Sequence, residues 1–265
     1  VKEKVDKTSY EDSNKKFQEK LNKTNKLLNE IFSQMDNLRN LYNLSEEDIK
    51  NLYDIKEDTE KLNEDYKVLI SHTGNNTFAY SKLTREIENL FIKLVNIEER
   101  IDTTLNTIGS MHDDEQRARE QLEEMKVILK EAKSQIREYN LPIIPKKYYV
   151  ELSEAQQAIK EIIVELERKP IDTETLNTRV DTARDLVFKL FSQTKEMMKT
   201  AMFAEMAIVY GNRYRSEEED LDKNLTFAES LFYKGDYKKS LEISINALNR
   251  IDNSIYDKLL KLYEK

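Results

Sequence analysis

The side chains with the greatest potential for chemistry are two histidines and many carboxylates, in a chain of 265 residues without cysteine. His72 lies in a polar turn, and the run His112-Asp113-Asp114-Glu115 lies inside a long predicted helix. Adjacent residues of a helix point in different directions, whereas metal ligands on a helix need i, i+3 or i+4 spacing. We therefore interpret residues 112–115 as a polar junction where an apolar helical stripe lapses, and we predict no metal site.

Enzyme classes find little support in the sequence. The absence of cysteine excludes disulfides, thiolate catalysis and cysteine-ligated metals. There is no glycine-rich phosphate loop, and no serine or threonine has an evident general base. We predict a protein that is not an enzyme and that holds no cofactor.

The composition predicts long helices. Only 4 glycines and 3 prolines interrupt the chain, while 35% of its residues are charged. The net charge of -8 comes from interspersed lysine and glutamate, which is typical of solvated helices and leaves no basic face for nucleic acid. No apolar run approaches the roughly 18–20 residues of a membrane span. The chain starts at Val1 and not at methionine, so we expect it to be part of a longer protein.

The most distinctive segment is Tyr210-Gly211-Asn212-Arg213-Tyr214-Arg215, which we call the 210–215 patch. Helical spacing would place Tyr210, Arg213 and Tyr214 on one face. Tyrosine and arginine together are typical of protein interaction hot spots, which makes Tyr210, Asn212, Arg213, Tyr214 and Arg215 candidate contact residues. A purely structural interpretation has the same weight as this contact role. In it, the tyrosines close a helix bundle and the arginines pair with the acidic run at 217–220. Gly211 inside a helix costs about 1 kcal/mol relative to alanine, which indicates close packing or a bend.

The elements that must position this patch are separated by a few breaks. A first helix should end near Tyr42, and Ser45 should cap a second helix that runs to a turn at residues 72–77. A third helix should run from Phe78 to about Tyr139, with apolar residues that step by four and three, and at about 1.5 Å per residue it would span roughly 90 Å.

The same plan then repeats. Prolines 142 and 145 break the chain, a helix follows at 147–168, a turn follows at 169–172, and another long helix leads to the 210–215 patch. The breaks recur at an offset of roughly 95–100 residues, which indicates an internal repeat.

Gly235 and Asp236 should divide a C-terminal helical hairpin. We predict an all-α, elongated rod of tandem spectrin-like three-helix bundles that share long helices and end in a short hairpin. Its parts are expected at 1–109, 110–206 and 207–265.

The 210–215 patch and the hairpin segment from Ala228 to Tyr237, continuing to Ala247 and Leu248, resemble the C-terminal part of the EzrA family of septation ring formation regulators. The resemblance implies that Asn212 and Arg213 match a short family patch of Gln, Asn and Arg that is needed for localisation to the division site. Val209 stands where that patch has its Gln.

The resemblance also implies a function. The family has an N-terminal membrane anchor, which this chain lacks, and a cytoplasmic rod of spectrin-like repeats. It acts at the cytoplasmic face of the membrane at the division septum, with other division-ring proteins. It binds the tubulin-like protein FtsZ and negatively regulates FtsZ ring formation, and so controls its frequency and position.

Two alternatives stay open at this point. One is a generic coiled-coil cytoskeletal spacer that forms homodimers. The other is a tetratricopeptide-like module that binds peptides through the C-terminal hairpin, although only one copy of the 34-residue pattern is present. The loop from Leu141 to Tyr149 is either a docking loop or, as we favour, the cap of a bundle.

Overall fold

The computed structural model describes residues 2–73 and 79–263, with side chains for residues 6–71 and 79–263. The described residues form α-helices and one 3₁₀ turn, Asn212–Tyr214, and include no strand beyond a single isolated bridge. The predicted all-α class is confirmed, whereas the rod stays a prediction. The helices are α1 (Lys2–Leu41), α2 (Glu46–Thr73), α3 (Tyr80–Tyr139), α4 (Lys146–Glu167), α5 (Thr173–Gly211), α6 (Glu219–Tyr233), α7 (Tyr237–Leu248) and α8 (Ile255–Tyr263).

Local capping chemistry explains several helix ends. The Ser45 hydroxyl accepts a hydrogen bond from the Asp48 backbone N–H at 3.0 Å, which satisfies one of the free donors at the start of α2. Gly235 has a φ of +83°, a left-handed conformation that ends α6 without the steric cost of a side chain. The Asp236 carboxylate then accepts from the Lys239 N–H at 3.3 Å and caps α7. These predicted caps are confirmed. The predicted turn at 72–77 falls mostly outside the described residues.

The chain divides into two compact units, and α3 contributes to both. Unit 1 comprises Val1–Arg117 and Glu165–Glu174, and unit 2 comprises Ala118–Val164 and Thr175–Lys265. The three-part division that the repeat predicts stays a prediction.

Unit 1 contains a three-helix bundle built from α1, α2 and the first part of α3. Its core includes the fully buried Phe17, whose ring lies 4.9 Å from that of Tyr66 and 6.5 Å from that of Phe91. The predicted stripe of α3 is confirmed, because its members are all buried: Leu83, Ile87, Leu90, Leu94, Ile97 and Ile101.

The end of α1 is held by a contact that the sequence did not predict. Tyr42 and Ile171 form an isolated parallel bridge, in which the Asn43 N–H donates to the Ile171 carbonyl at 2.8 Å. The Tyr42 hydroxyl donates to Glu115 at 2.8 Å and lies 3.3 Å from Nδ1 of His112. The polar run at 112–115 therefore takes part in a tertiary hydrogen-bond network. Among the residues that the structure describes, no group of three or more His, Cys, Asp or Glu side chains is arranged to hold a metal ion.

Unit 2 continues the predicted stripe of α3 and adds α4 to α8. The predicted members of the stripe are buried here: Leu122, Met125, Leu129, Ala132 and Ile136. The second arm of the C-terminal hairpin is divided into α7 and α8. Asp252 explains the break, because its carboxylate accepts hydrogen bonds from the Ser254 N–H at 3.0 Å and the Ser254 hydroxyl at 2.6 Å just before α8 begins. Within the described ranges, no helix has the length and apolarity needed to cross a membrane.

Candidate protein-interaction site

Helix α5 ends inside the 210–215 patch, at Gly211. A Cβ atom on Gly211 would lie 2.6 Å from Cδ1 of Leu225 on α6 and 3.2 Å from Cδ2 of Leu248 on α7. Both leucines are buried in the core of unit 2, and the approaching atoms are the methyl ends of their side chains. The close packing predicted for Gly211 is confirmed, and it explains why glycine occupies this helical position.

The two tyrosines of the patch lie half-buried against the same core. The rings of Tyr210 and Tyr214 are 6.0 Å apart, and the Arg213 guanidinium lies 5.1 Å from the centre of the Tyr210 ring. This distance is within the range of a cation–π interaction. A hydrogen bond with the Tyr210 hydroxyl raises the pKa of Tyr214 above its usual value, and the electrostatic effect of Tyr210 adds to the rise. The tyrosines therefore close this end of the bundle, as the structural interpretation predicted.

Arg215 joins the patch to α6 through two carboxylates. Its guanidinium pairs with Asp222 at 3.3 Å and with Glu229 at 2.5 Å, and only 23% of its side chain is exposed. The predicted pairing of Arg215 with the acidic run at 217–220 is therefore wrong. Residues 217–220 are exposed, whereas Asp222 and Glu229 are seven positions apart and lie on one face of α6.

Helix α8 supports the patch from another side. The Asp252 carboxylate is paired with the Lys258 ammonium group, and hydrogen bonds from Lys258 and Ser254 lower the pKa of Asp252 to about 2. Asp252 raises the pKa of Lys258, and the nearby tyrosines 210 and 214 contribute to the same rise. This neighbour was not predicted from the sequence. Locally, only the Asp252-Asn253-Ser254 turn is visible in the sequence. Such a turn indicates the start of a helix, but it does not indicate that this helix lies beside the patch.

The structure divides the five predicted contact residues into two groups. Asn212 and Arg213 are exposed, while Tyr210, Tyr214 and Arg215 are partly buried and make the packing and ion-pair contacts described above. The neighbouring Val209 has 60% of its surface exposed. An incoming protein would meet Val209, Asn212 and Arg213 first, although a contact role for any patch residue stays a prediction.

The hairpin of α6 and α7 does not present an open groove on its inner face. Ala228, Phe232 and Tyr237 of the hairpin form a buried cluster with Ala201, Ala204 and Ile208 of α5. A tetratricopeptide-like binding groove needs this inner face to be free, and here α5 covers it.

The loop between α3 and α4 packs against the same cluster. Leu141 lies on it, and the Tyr237 hydroxyl donates to the Ile143 carbonyl at 2.5 Å. Tyr148 is buried, whereas Ile143 and Tyr149 remain about half exposed. The loop therefore caps this part of unit 2, as we favoured from the sequence.

These features can be compared with known proteins. The family model described as "Septation ring formation regulator, EzrA" matches residues 2–263. The chain belongs to the EzrA family. The family membership predicted from the 210–215 patch and the hairpin is confirmed, and this family consists of division regulators that are not enzymes.

Curated EzrA proteins from several bacteria are similar to this chain. It is 34% identical over 148 residues to the septation ring formation regulator EzrA of Geobacillus kaustophilus, which covers 56% of this chain and 26% of the relative. It is 32% identical over 187 residues to EzrA of Bacillus pumilus, covering 71% of this chain and 33% of the relative. The EzrA of Listeria innocua is 27% identical over 202 residues, covering 76% and 35% respectively. The chain thus spans about a quarter to a third of these EzrA proteins.

A solved structure shares the fold. The "Cytoplasmic domain of bacterial cell division protein EzrA" superposes with a TM-score of 0.67 at 18% sequence identity, and the match covers 97% of this chain and 50% of that one. At this identity the likeness concerns the fold alone.

Proposed function

We propose that this chain belongs to a regulator that binds FtsZ and restrains the formation of the FtsZ ring, and so modulates its frequency and position. The observation that carries the proposal is the match of the EzrA family model to residues 2–263. The curated relatives are named septation ring formation regulators, which supports a role in division.

We place the contact with a division-ring partner at the 210–215 patch. The exposed Asn212 and Arg213 supply an amide and a guanidinium, and the guanidinium lies against the Tyr210 ring, which limits its freedom before binding. A side chain that is ordered in advance loses less entropy on association, which favours affinity. Tyr210, Tyr214 and Arg215 support this surface from below.

In this proposal the full-length protein works at the cytoplasmic face of the cell membrane at the septum. A single membrane anchor outside this chain would hold it there. Two observations support this placement: the relatives are about three to four times as long as their matched segments, and the structurally similar chain is titled a cytoplasmic domain.

The test is co-sedimentation of the chain with polymerising FtsZ, together with light scattering of the polymers. We expect the wild-type chain to sediment with FtsZ and to lower the scattering. The double variant Asn212→Ala plus Arg213→Ala should bind at least roughly thirtyfold more weakly, since hot-spot truncations cost more than about 1 kcal/mol each and so more than about 2 kcal/mol together.

A composition-matched control is Arg85→Ala plus Asn89→Ala, which removes the same residue types from an exposed part of α3. The control should bind as the wild type does. If the patch variant binds normally, the patch is not the contact. If the wild-type chain neither binds FtsZ nor changes its polymerisation, the proposed function is wrong for this part of the protein.

A further inference from the structure

Unit 2 contains a groove that is separate from the 210–215 patch. It has a volume of about 850 Å³ and is lined mainly by α5, with contributions from α3, α7 and α8. We call it the α5–α8 groove. Its volume falls within the range of about 300–1,000 Å³ typical of ligand pockets, so it could take a few side chains of a short segment but not a folded domain.

Half of the residues that line the groove are apolar or aromatic. Met198 and Met202 are four residues apart on α5 and line it together. The buried Phe203 ring lies 5.9 Å from Tyr256 and 5.2 Å from Tyr263, and these tyrosines keep 48% and 41% of their surface exposed. Methionines adapt to irregular partners and exposed tyrosines are common binding anchors, so this lining suits an apolar side chain.

Two lysines at the groove carry positive charge that the described residues do not neutralise by ion pairing. The Lys195 ammonium lies 4.2 Å from the centre of the Phe191 ring, and that of Lys199 lies 5.8 Å from both Phe203 and Tyr263. Elsewhere in unit 2, lysines such as Lys223 pair with a carboxylate one helical turn away. Glu196 also lines the groove, so these three side chains have a net charge of +1.

The spacing of the lysines selects the conformation of a ligand. Residues i and i+4 of a helix are separated by about 6 Å along its axis. In an extended peptide, alternate side chains lie on one face about 6.5 Å apart. Two carboxylates with one residue between them would therefore reach Lys195 and Lys199 together.

We infer that the α5–α8 groove binds an extended acidic segment of a partner protein, with two carboxylates on Lys195 and Lys199 and the next side chain on the same face, an apolar one, between Met202 and Tyr256. The charge of the rim, the apolar lining and the volume all point to this occupant. The inference concerns a surface that the proposed contact at the patch does not use, and it does not depend on FtsZ binding.

The test is fluorescence anisotropy of a labelled peptide with the core Asp-Leu-Asp-Leu-Phe, in which phenylalanine shares the face of the aspartates, titrated with the wild-type chain at low and high salt. We expect saturable binding that weakens as salt rises, because exposed charges are screened. A peptide with lysine in place of aspartate should not bind. A peptide with serine in place of leucine and phenylalanine should bind at least roughly tenfold more weakly, since it lacks the apolar anchor.

The decisive variant is Lys195→Gln plus Lys199→Gln, which should weaken peptide binding roughly tenfold. Its matched control is Lys126→Gln plus Lys130→Gln, which removes two exposed lysines at the same spacing from α3. The control should bind as the wild type does. Circular dichroism should show that both variants keep their helices.

Two results would overturn the inference. One is that the acidic peptide fails to bind the wild-type chain, or binds the Lys195 and Lys199 variant equally well. The other is that sedimentation shows a dimer of the wild-type chain that the same variant dissociates, because the groove would then be occupied by a second copy of this chain.

Discussion

Two helical glycines, Gly109 and Gly211, differ completely in their surroundings. A Cβ atom on Gly109 would meet nothing within 4 Å, whereas one on Gly211 would collide with Leu225 and approach Leu248. From helix propensity alone, each glycine is expected to destabilise the helix that contains it. Of these two glycines, only Gly211 is closely packed.

We therefore expect opposite effects from the same substitution at the two positions. Gly211→Ala should lower the free energy of unfolding by about 1–3 kcal/mol, the usual cost of overpacking a buried site, less what better helix propensity returns. Gly109→Ala should raise it by up to about 1 kcal/mol. Urea unfolding followed by circular dichroism measures both. A Gly211→Ala variant as stable as the wild type would show that Leu225 moves aside without cost.

Arg213 and Arg215 are two positions apart and have different environments. Arg213 is exposed above the Tyr210 ring, while Arg215 is largely buried between two carboxylates. The sequence places Arg213 on the face of Tyr210 and Tyr214, but it gives no reason to expect that Arg215 is the more buried of the two. Their difference comes from α6, which passes beside Arg215.

At the scale of elements, the Arg215 ion pairs connect the turn after α5 to α6. Asp222 lies near the start of α6 and Glu229 lies two turns later, so one guanidinium restrains both the turn and the helix. This connection holds the segment that presents Asn212 and Arg213.

Reversing the charges should test that connection. Arg215→Glu should destabilise unit 2 by about 1 kcal/mol, and Glu229→Arg should do the same, because each leaves like charges facing one another across a partly exposed pair. The double variant should recover part of the lost stability, because opposite charges again face each other at positions 215 and 229. The recovery should be incomplete, because Asp222 would still face a carboxylate at position 215. Denaturant unfolding of the four proteins gives the coupling free energy. Strictly additive losses would mean that the ion pair contributes no stability.

At the scale of the whole molecule, one helix, α3, contributes residues to both compact units. Each unit has buried residues of its own, including Leu52 in unit 1 and Leu225 in unit 2. Proteins unfold locally in contiguous cooperative units, so we expect each core to open largely by itself.

We accordingly expect a substitution to loosen mainly the unit that contains it. Tyr42→Phe removes the hydroxyl that donates to Glu115 and should cost unit 1 about 1.5–3 kcal/mol, as for hydrogen bonds to charged groups. Amide hydrogen exchange should then accelerate around Leu52 more than around Leu225, and Gly211→Ala should do the reverse. Tyr149→Phe, at a half-exposed tyrosine, is the matched control and should change neither. Equal acceleration in both units would show that α3 couples them into one cooperative body.

The features that the sequence determined by itself depend on residues close together in the chain. Ser45 caps α2, prolines 142 and 145 separate α3 from α4, and Gly235 with Asp236 ends one helix and starts the next. The apolar stripe of α3 could likewise be predicted, because helical periodicity brings those side chains to one face whatever the neighbours are. The resemblance of the 210–215 patch and of the hairpin segment was sufficient to identify the family.

Only the tertiary structure decided which groups meet across long sequence separations. The bridge between Tyr42 and Ile171, the partners of Arg215 and the wall of the α5–α8 groove each join residues from different helices or loops. Periodicity shows which face of a helix is apolar but not which neighbour covers it, since many apolar faces are compatible with one another. Specific ion pairs and grooves form only when the helices pack together, and local sequence patterns do not specify which helices pack together.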